Sequence, residues 1–426
     1  MIQIKNNSKC CGCSACFNAC PKQCIAMVED AEGFKYPFIS QELCVNCGLC
    51  ENVCPELNPF IKRVPFNVYA AFSKNEEIRM KSSSGGIFFE LSSYILSQHG
   101  IVFGVKLDEN WNAVMSYTSD INGVYDFMGS KYVQCDIGRS YIECEQFLKK
   151  GKIVLFTGTP CHISALKCFL KKDYSNLYTV DVACHGVPSP GIWRDYICNI
   201  RETARKGKNS VSSSLTHDVL GHDALDECGS MRIESISFRD KRKGWKKYSF
   251  ALTLAEASAD GKQNTVSLSQ SIHEHPYLKA FVENIILRPS CYSCQFKCGK
   301  SNSDITISDF WGVKKFHPEM DDDKGTSTVM IYTYKGFDLL RNIDLKMVVS
   351  TYLEATYFNT AIIKPHKCHI NRKRFFKEYG QEDDLQLLVK RCLELPTYIK
   401  IIEVVNKFIN LVIRRIYYYA GWNFNS

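Results

Sequence analysis

The sequence predicts a mixed chain, α+β at its start and α/β through its middle, closing in a helical segment. Three observations carry this. A cysteine pattern occurs twice before residue 55, apolar strand patterns alternate with helical ones through the middle, and an apolar stretch broken by charges lies near the end. The boundaries expected are a small α+β domain over 1–60 and an α/β domain over 61–335, in which 203–231 reads as a mobile insertion. A C-terminal region over 336–426 would end in an amphipathic helix over 396–422.

The 426 residues, 45% apolar and 23% charged, suffice for two or three packed domains. The net charge of +8, from 53 basic against 45 acidic residues, is too mild and too dispersed to imply nucleic acid. It suits an anionic cofactor or an acidic partner equally. The start, MIQIKNNSKC, has no apolar h-region and no cleavage site, so the expected compartment is a reducing cytoplasm. There, 22 cysteines point to metal or redox use rather than structural disulfides, and ten of them precede residue 55.

Cys10, Cys13, Cys16 and Cys20 before Pro21 read C-x2-C-x2-C-x3-C-P, and Cys44, Cys47, Cys50 and Cys54 before Pro55 repeat it. This run resembles bacterial two-cluster ferredoxins. The resemblance implies a crossed assignment, in which three close cysteines ligate one 4Fe-4S cluster and the fourth reaches the other. One cluster would take Cys10, Cys13, Cys16 and Cys54, the other Cys44, Cys47, Cys50 and Cys20. Physically, x2 spacings wrap a loop around one cluster corner after another, and each proline fixes φ just past the last ligand. Cys11 and Cys24 fall outside both patterns. A C-x3-C-x2-C motif starting at Cys20 would need a cysteine where Met27 stands, and structural zinc more often uses two separated C-x2-C knuckles.

After a proline-marked linker (Pro55, Pro59, Pro65), "KSSSGGIFFELSSYILSQHGIVFGV" reads as a polar loop, a helix over about 87–98, a stop at Gly100 and a strand. Such a loop presents backbone N–H groups to phosphates or flavin carbonyls, although plain helix capping by Ser82 to Ser84 is the simpler reading. "GKIVLFTGTPCHISALKCFLKK" is strand, turn and helix, and "NLYTVDVACHGVPSP" is a second apolar strand. Parallel neighbours joined by a right-handed crossover would bring Cys161 and Cys184 to one sheet edge, where open α/β sheets bind ligands. "RPSCYSCQFKCGKSNSDITISDFWG" adds Cys291-x2-Cys294, half a metal site, with Cys298 spare. Cys161 and Cys184 can complete that half-site across space. The bland alternatives are buried small residues, or a zinc site with one distant ligand.

Together "SSSGG", "GSKYVQ", "FTGTPCHI", "VACHGVPSP", "SFRDKRKGW", "RPSCYSCQFK" and "SDITISDFWG" resemble the coenzyme F420 hydrogenase/dehydrogenase beta-subunit family over about residues 10–320, closest to its bacterial branch found among surface-polysaccharide genes. The resemblance implies FAD beside a third 4Fe-4S cluster held by Cys161, Cys291 and Cys294, with Cys184 as fourth ligand. It turns Ser83, Ser84, Gly85 and Gly86 into flavin contacts and makes Ser130, Lys131 and Tyr132 a second flavin element, with Thr159 and Asp309 in the same motifs. A lysine beside the flavin C2 carbonyl would stabilise the reduced ring.

The function implied is an FAD-dependent iron-sulfur oxidoreductase, fed by a ferredoxin-like donor and acting on a small molecule that no segment identifies. A deazaflavin reductase, or an electron-transfer subunit of a larger complex, is the alternative. The basic run Arg239, Lys241, Arg242, Lys243, Lys246 and Lys247 reads as a solvated turn or, slightly favoured, as a patch for FAD pyrophosphate or an acidic partner. His273 and His275 read as surface residues, and Asp321 to Asp323 as a solvated turn. In the C-terminal stretch the longest interval between charges is six residues, Phe408 to Ile413, too short to cross a membrane. Its helix would lie on the chain's own core or, less favoured, on a membrane face.

Overall fold

A computed structural model describes residues 2–4, 6–206, 232–257, 263–382 and 384–394, with single positions 405, 409, 412 and 413. Beyond its first four residues the expected insertion lies outside the described residues, as does the expected helix 396–422 apart from those single positions.

The N-terminal α+β module is built on the repeat. Strands β1 (Ile25–Glu29) and β2 (Lys35–Ile39) pair antiparallel, with Ile25 opposite Ile39. Short helices Ala15–Ala19 and Leu49–Asn52 each run up to a Cys-Pro cysteine. Equivalent positions of the two repeats share the same backbone. Gly12 and Asn46, and then Ser14 and Gly48, all have positive φ (70°, 52°, 60° and 74°). Left-handed residues in each gap turn successive cysteines toward one centre, a conformation that costs a serine more than a glycine.

The main body is an eight-stranded mixed sheet with a separate three-stranded antiparallel sheet beside it. In chain order its strands are β3 (Asn67–Ser73), β4 (Ile101–Leu107), β5 (Ala113–Thr118), β6 (Val154–Gly158) and β7 (Leu177–Val182). The smaller sheet follows as β8 (Arg232–Asp240), β9 (Ser249–Ala257) and β10 (Gln263–Ser271). The large sheet then finishes with β11 (Ile305–Asp309), β12 (Ser327–Ile331) and β13 (Leu345–Ser350). Its order is β13-β3-β12-β11-β7-β6-β4-β5, and β4, β6, β7 and β11 are mutually parallel. Of those central strands β6 is the most completely buried, and its Val154, Leu155 and Phe156 are wholly so.

The boundary expected at 335 is not one in this fold. β13 pairs with β3, Leu345 opposite Ser73, so the sheet recruits its edge strand from the region set apart as C-terminal. The helix signals of that region hold, with Thr351 and Glu354 forming a capping box on helix Tyr352–Tyr357.

The module is seated on this body. Helix Ala15–Ala19 packs on helix Pro160–Leu170. Arg372 forks onto the Glu32 carboxylate, and the Asn18 amide donates to the Gly138 carbonyl at 2.9 Å. Arg288, fully buried, donates to the carbonyls of Cys10 (2.8 Å) and Lys35 (3.0 Å) and to Gln134 Oε1 (2.9 Å). It comes so close to Gly12 that a Cβ there would stand 2.7 Å from its Nη1.

Candidate redox site

Twelve cysteines singled out in the sequence gather into three sets. Cys16 feels the thiols of Cys13, Cys10 and Cys54, and Cys54 those of Cys13 and Cys10, so these four share one neighbourhood. Cys20, Cys44, Cys47 and Cys50 line a second small space, joined there by Cys24, whose Sγ is 3.3 Å from that of Cys20. Cys20 and Cys54 have thus each crossed to the other repeat's triple. In the third set Cys291 feels the thiols of Cys184, Cys294 and Cys161. The spare Cys298 is elsewhere: its φ of 60° turns the sulfur to the Tyr352 hydroxyl, 3.6 Å away.

The donor chemistry suits iron and sulfur. Burial pushes the thiols of Cys16 and Cys291 up, those of Cys54 and Cys294 up to about 12, and that of Cys184 up to about 11. Only a bound cationic centre would hold such sulfurs as thiolates. Among the described residues no three His, Cys, Asp or Glu side chains converge on one point closely enough for a single ion. The sulfurs of the second set stand around a small space.

Cys161 owes its place to the β6 edge, where Pro160 occupies the first turn of the helix and Thr159 Oγ1 lies 3.1 Å from the cysteine sulfur. Its thiol is held below the ordinary range, first by a hydrogen bond with Cys11 and then by Thr159. Cys11, buried, reaches both Cys13 and Cys161. It therefore touches the first set on one side and the third on the other.

Beyond the third set a cavity of about 520 Å³ opens at the carboxyl edge of β6, β7 and β11. Cys184 lies on its wall, as do Ser83, Ser84, Gly86, Ser130, Lys131, Tyr132, Thr159 and Asp309 of the expected FAD contacts. Gly85 does not line it. It is pressed onto the sheet, where its N–H donates to Ser327 Oγ (3.0 Å) and an added Cβ would meet the Ala71 carbonyl at 2.5 Å. Ser83 Oγ accepts from Ser130 N–H (2.7 Å), joining the two segments expected to contact flavin.

Two expected contacts have other work. The Lys131 ammonium turns back to the carbonyls of Asp126 (2.8 Å) and Met128 (2.7 Å), and burial pulls its pKa down to about 7. Asp309 accepts from Arg239 Nη1 (2.7 Å) and Trp245 Nε1 (3.1 Å).

Four residues of the basic run are taken up within the fold, while Lys243 and Lys247 are exposed. Arg239 and Lys241 are buried, Arg242 pairs with Asp240, and Lys246 pairs with Asp321 at 2.6 Å. The acidic turn is correspondingly tied down, since Asp322 also receives both arms of the Arg79 guanidinium, at 2.7 and 2.6 Å. His275 is buried, bonds the Tyr196 hydroxyl at 2.7 Å and caps helix Pro276–Val282. Sequence reasoning missed His162, His185 and His366 on the cavity wall. Their one signal was proximity to motif cysteines, since His162 and His185 directly follow Cys161 and Cys184. The last two rings stack at 3.8 Å, and burial holds the three well below the usual imidazole range, to about 4, 3 and 4.

Comparison with known proteins bears on both parts of the chain. Residues 9–57 match the model of the 4Fe-4S dicluster domain, and residues 151–355 match that of the C terminus of the coenzyme F420 hydrogenase/dehydrogenase beta subunit. No curated protein matches the chain. Among solved structures, a chain of the F420-reducing [NiFe] hydrogenase complex from Methanosarcina barkeri is similar at 18% identity and a TM-score of 0.41, covering 76% of this chain and 94% of that one. Among the described residues no helix is long and apolar enough to cross a membrane. With a match to the dicluster domain at its head, the chain is an iron-sulfur protein of electron transfer, related over residues 151–355 to the C terminus of the coenzyme F420 hydrogenase/dehydrogenase beta subunit.

Proposed function

We propose that the chain is a flavin-dependent iron-sulfur oxidoreductase carrying three 4Fe-4S clusters and FAD. The clusters would be held by Cys10/Cys13/Cys16/Cys54, by Cys44/Cys47/Cys50/Cys20 and by Cys161/Cys184/Cys291/Cys294. The observation that carries this reading is the position of Cys184, a member of the third thiol set and at the same time a wall residue of the large cavity. A redox centre there would stand against whatever the cavity binds. The module over 1–60 is the entry domain and the body after it the flavin domain.

The order of the sets supports one-electron traffic between the surface and the cavity. Cys47 of the second set is exposed, Cys13 and Cys16 of the first are buried, and Cys11 links the first to the third. The protein surface at the second set is where a ferredoxin-like donor or acceptor would dock. Flavin bound in the cavity would convert between one-electron clusters and two-electron chemistry. This chain's own residues supply the rest. The Ser83–Ser130 contact fixes the cavity's polar end, Tyr132 and Phe281 pack at 4.7 Å between ring centroids along its wall, and neutral His162, His185 and His366 offer ring nitrogens to a ligand.

Protein purified anaerobically and reconstituted should carry about twelve irons and one FAD per chain. About eight irons and no yellow chromophore would sink the reading. The family match favours a second one, in which the electron acceptor is the deazaflavin coenzyme F420. Reduction of that coenzyme by dithionite-reduced protein separates the two.

A further inference from the structure

Lys297 stands three positions past Cys294 and is buried, with 6% of its surface exposed. Its ammonium donates to the carbonyl of Cys184 and, at 2.8 Å, to that of Ala361. It thus spans a member of the third thiol set and the short helical turn Thr360–Ile362, whose Ala361 lines the cavity. The next residue closes the same turn, since the Cys298 N–H donates to the Ile362 carbonyl at 2.8 Å.

Both partners of the ammonium are neutral, and among the described residues no carboxylate stands within salt-bridge reach of it. Asp181, the buried carboxylate of β7, is taken by the hydroxyls of Ser301, Thr306 and Ser303. A buried charge held only by carbonyls has given up water without gaining a counter-ion. The thiols show where its field goes. Burial raises both Cys184 and Cys294, and at both the Lys297 charge pulls back toward thiolate; at Cys184 it outweighs the opposing carboxylate of Asp181. A 4Fe-4S cluster on four thiolates is net negative and reduction makes it more so, so a fixed cation close by favours the reduced form. Burial leaves little water or salt to screen the pair.

We propose that Lys297 is the counter-charge of the third cluster and the positioning residue that raises its reduction potential. The proposal rests on Cys161, Cys184, Cys291 and Cys294 holding that cluster, and it adds which side chain tunes the centre that faces the cavity. The simpler role, ending the Thr360–Ile362 turn, needs N–H donors and no charge. Glutamine keeps the donors without the charge, and arginine keeps both.

The test is an anaerobic redox titration of reconstituted full-length protein followed by EPR, with iron counted first. The third cluster's signal is the one that disappears in Cys184→Ala. In Lys297→Gln the equilibrium of that cluster with a fixed reference couple should move toward the oxidised form at least about tenfold, or about 59 mV for one electron, while the other two clusters keep their midpoints. Lys297→Arg should return to within about threefold of wild type. Loss of about four irons from Lys297→Gln but not from Lys297→Arg would support the proposal by another route, since the anionic centre would then need the charge in order to bind. An unchanged midpoint at native iron content overturns it, and so does an equal loss in the glutamine and arginine variants. Those results leave the three-cluster reading standing, whereas a wild type with only about eight irons removes the third cluster and this role of Lys297 together.

Discussion

Arg288 offers the most direct measurement on the first thiol set. The guanidinium is completely buried and its close partners are neutral: two carbonyls, the Gln134 amide oxygen, and the rings of Tyr36 and Phe34 at 4.2 and 5.4 Å. Its nearest ligand-type atom is Cys10 Sγ, 3.7 Å from Nη2. Beyond the Glu56 carboxylate, which feels its charge, the counter-charge in the proposed reading is an anionic iron-sulfur centre held by Cys10. At an effective dielectric of about 20, unit charges 3.7 Å apart interact by about 4.5 kcal/mol. The electron added on reduction is spread over the whole cluster, so about a third of that, ~1.5 kcal/mol, bears on the potential. At about 59 mV per 1.4 kcal/mol for one electron, Arg288→Met should lower the first cluster's midpoint potential by about 60 mV. The assay is an anaerobic redox titration followed by EPR, with iron content checked first, and Arg288→Lys should recover most of the shift. A midpoint within about 20 mV of wild type at native iron content would refute the reasoning, because no screening by water is open to a group so buried.

Three further outcomes follow from the same geometry. Cys184→Ala should lose about four irons while Cys298→Ala loses none, and the reverse result would redraw the third ligand set. Cys11→Ala should keep all the iron yet slow reduction of the third cluster in rapid-mixing spectroscopy, with Cys11→Ser partly restoring the rate. Equal rates in all three proteins would make Cys11 mere packing. Burial, then the nearby Arg239 and Arg79 charges, pulls the Lys241 pKa down to about 7. Between pH 7 and the ordinary lysine value of about 10.4 the unfolded chain binds the proton and the folded chain does not, so this group makes stability rise with pH. From pH 7 to 9 the gain is about 2 kcal/mol, and a Lys241→Met protein melting with the same pH slope as wild type would contradict it.

What the sequence disclosed depended on how far apart the partners are. The two N-terminal repeats were legible because ligand spacing is local chemistry and the pattern occurs twice, whereas the crossing came only from the resemblance to two-cluster ferredoxins. Cys161 and Cys184 were legible because parallel strands end at one edge. Cys298 stayed ambiguous until its positive φ aimed it at Tyr352. Arg239 and Lys241 looked like any solvated charge run, since what buries them comes from distant sequence: Asp309 for one, and the carbonyls of Arg79, Ser84 and Lys324 for the other. The same distance hid the acidic turn's bond to Arg79 and the boundary that β13 erased. Gly85, a motif glycine expected as a ligand contact, packs against the sheet at Ser327 and Ala71.

The seat of the module also sets an order of events during synthesis. The first thiol set is complete at Cys54, yet Arg288, which closes over Cys10 and Gly12, leaves the ribosome 234 residues later (288 − 54). At about 5–20 residues per second that interval is roughly 12–47 s. For that time four thiols stand open to whatever delivers iron. Once Arg288 and the Arg372–Glu32 pair have formed, Cys13 and Cys16 are buried, and Cys10 and Cys54 keep only part of their surface open. Loading of this set is therefore least hindered on the nascent chain, and Cys13 and Cys16 are the thiols a later repair must reach.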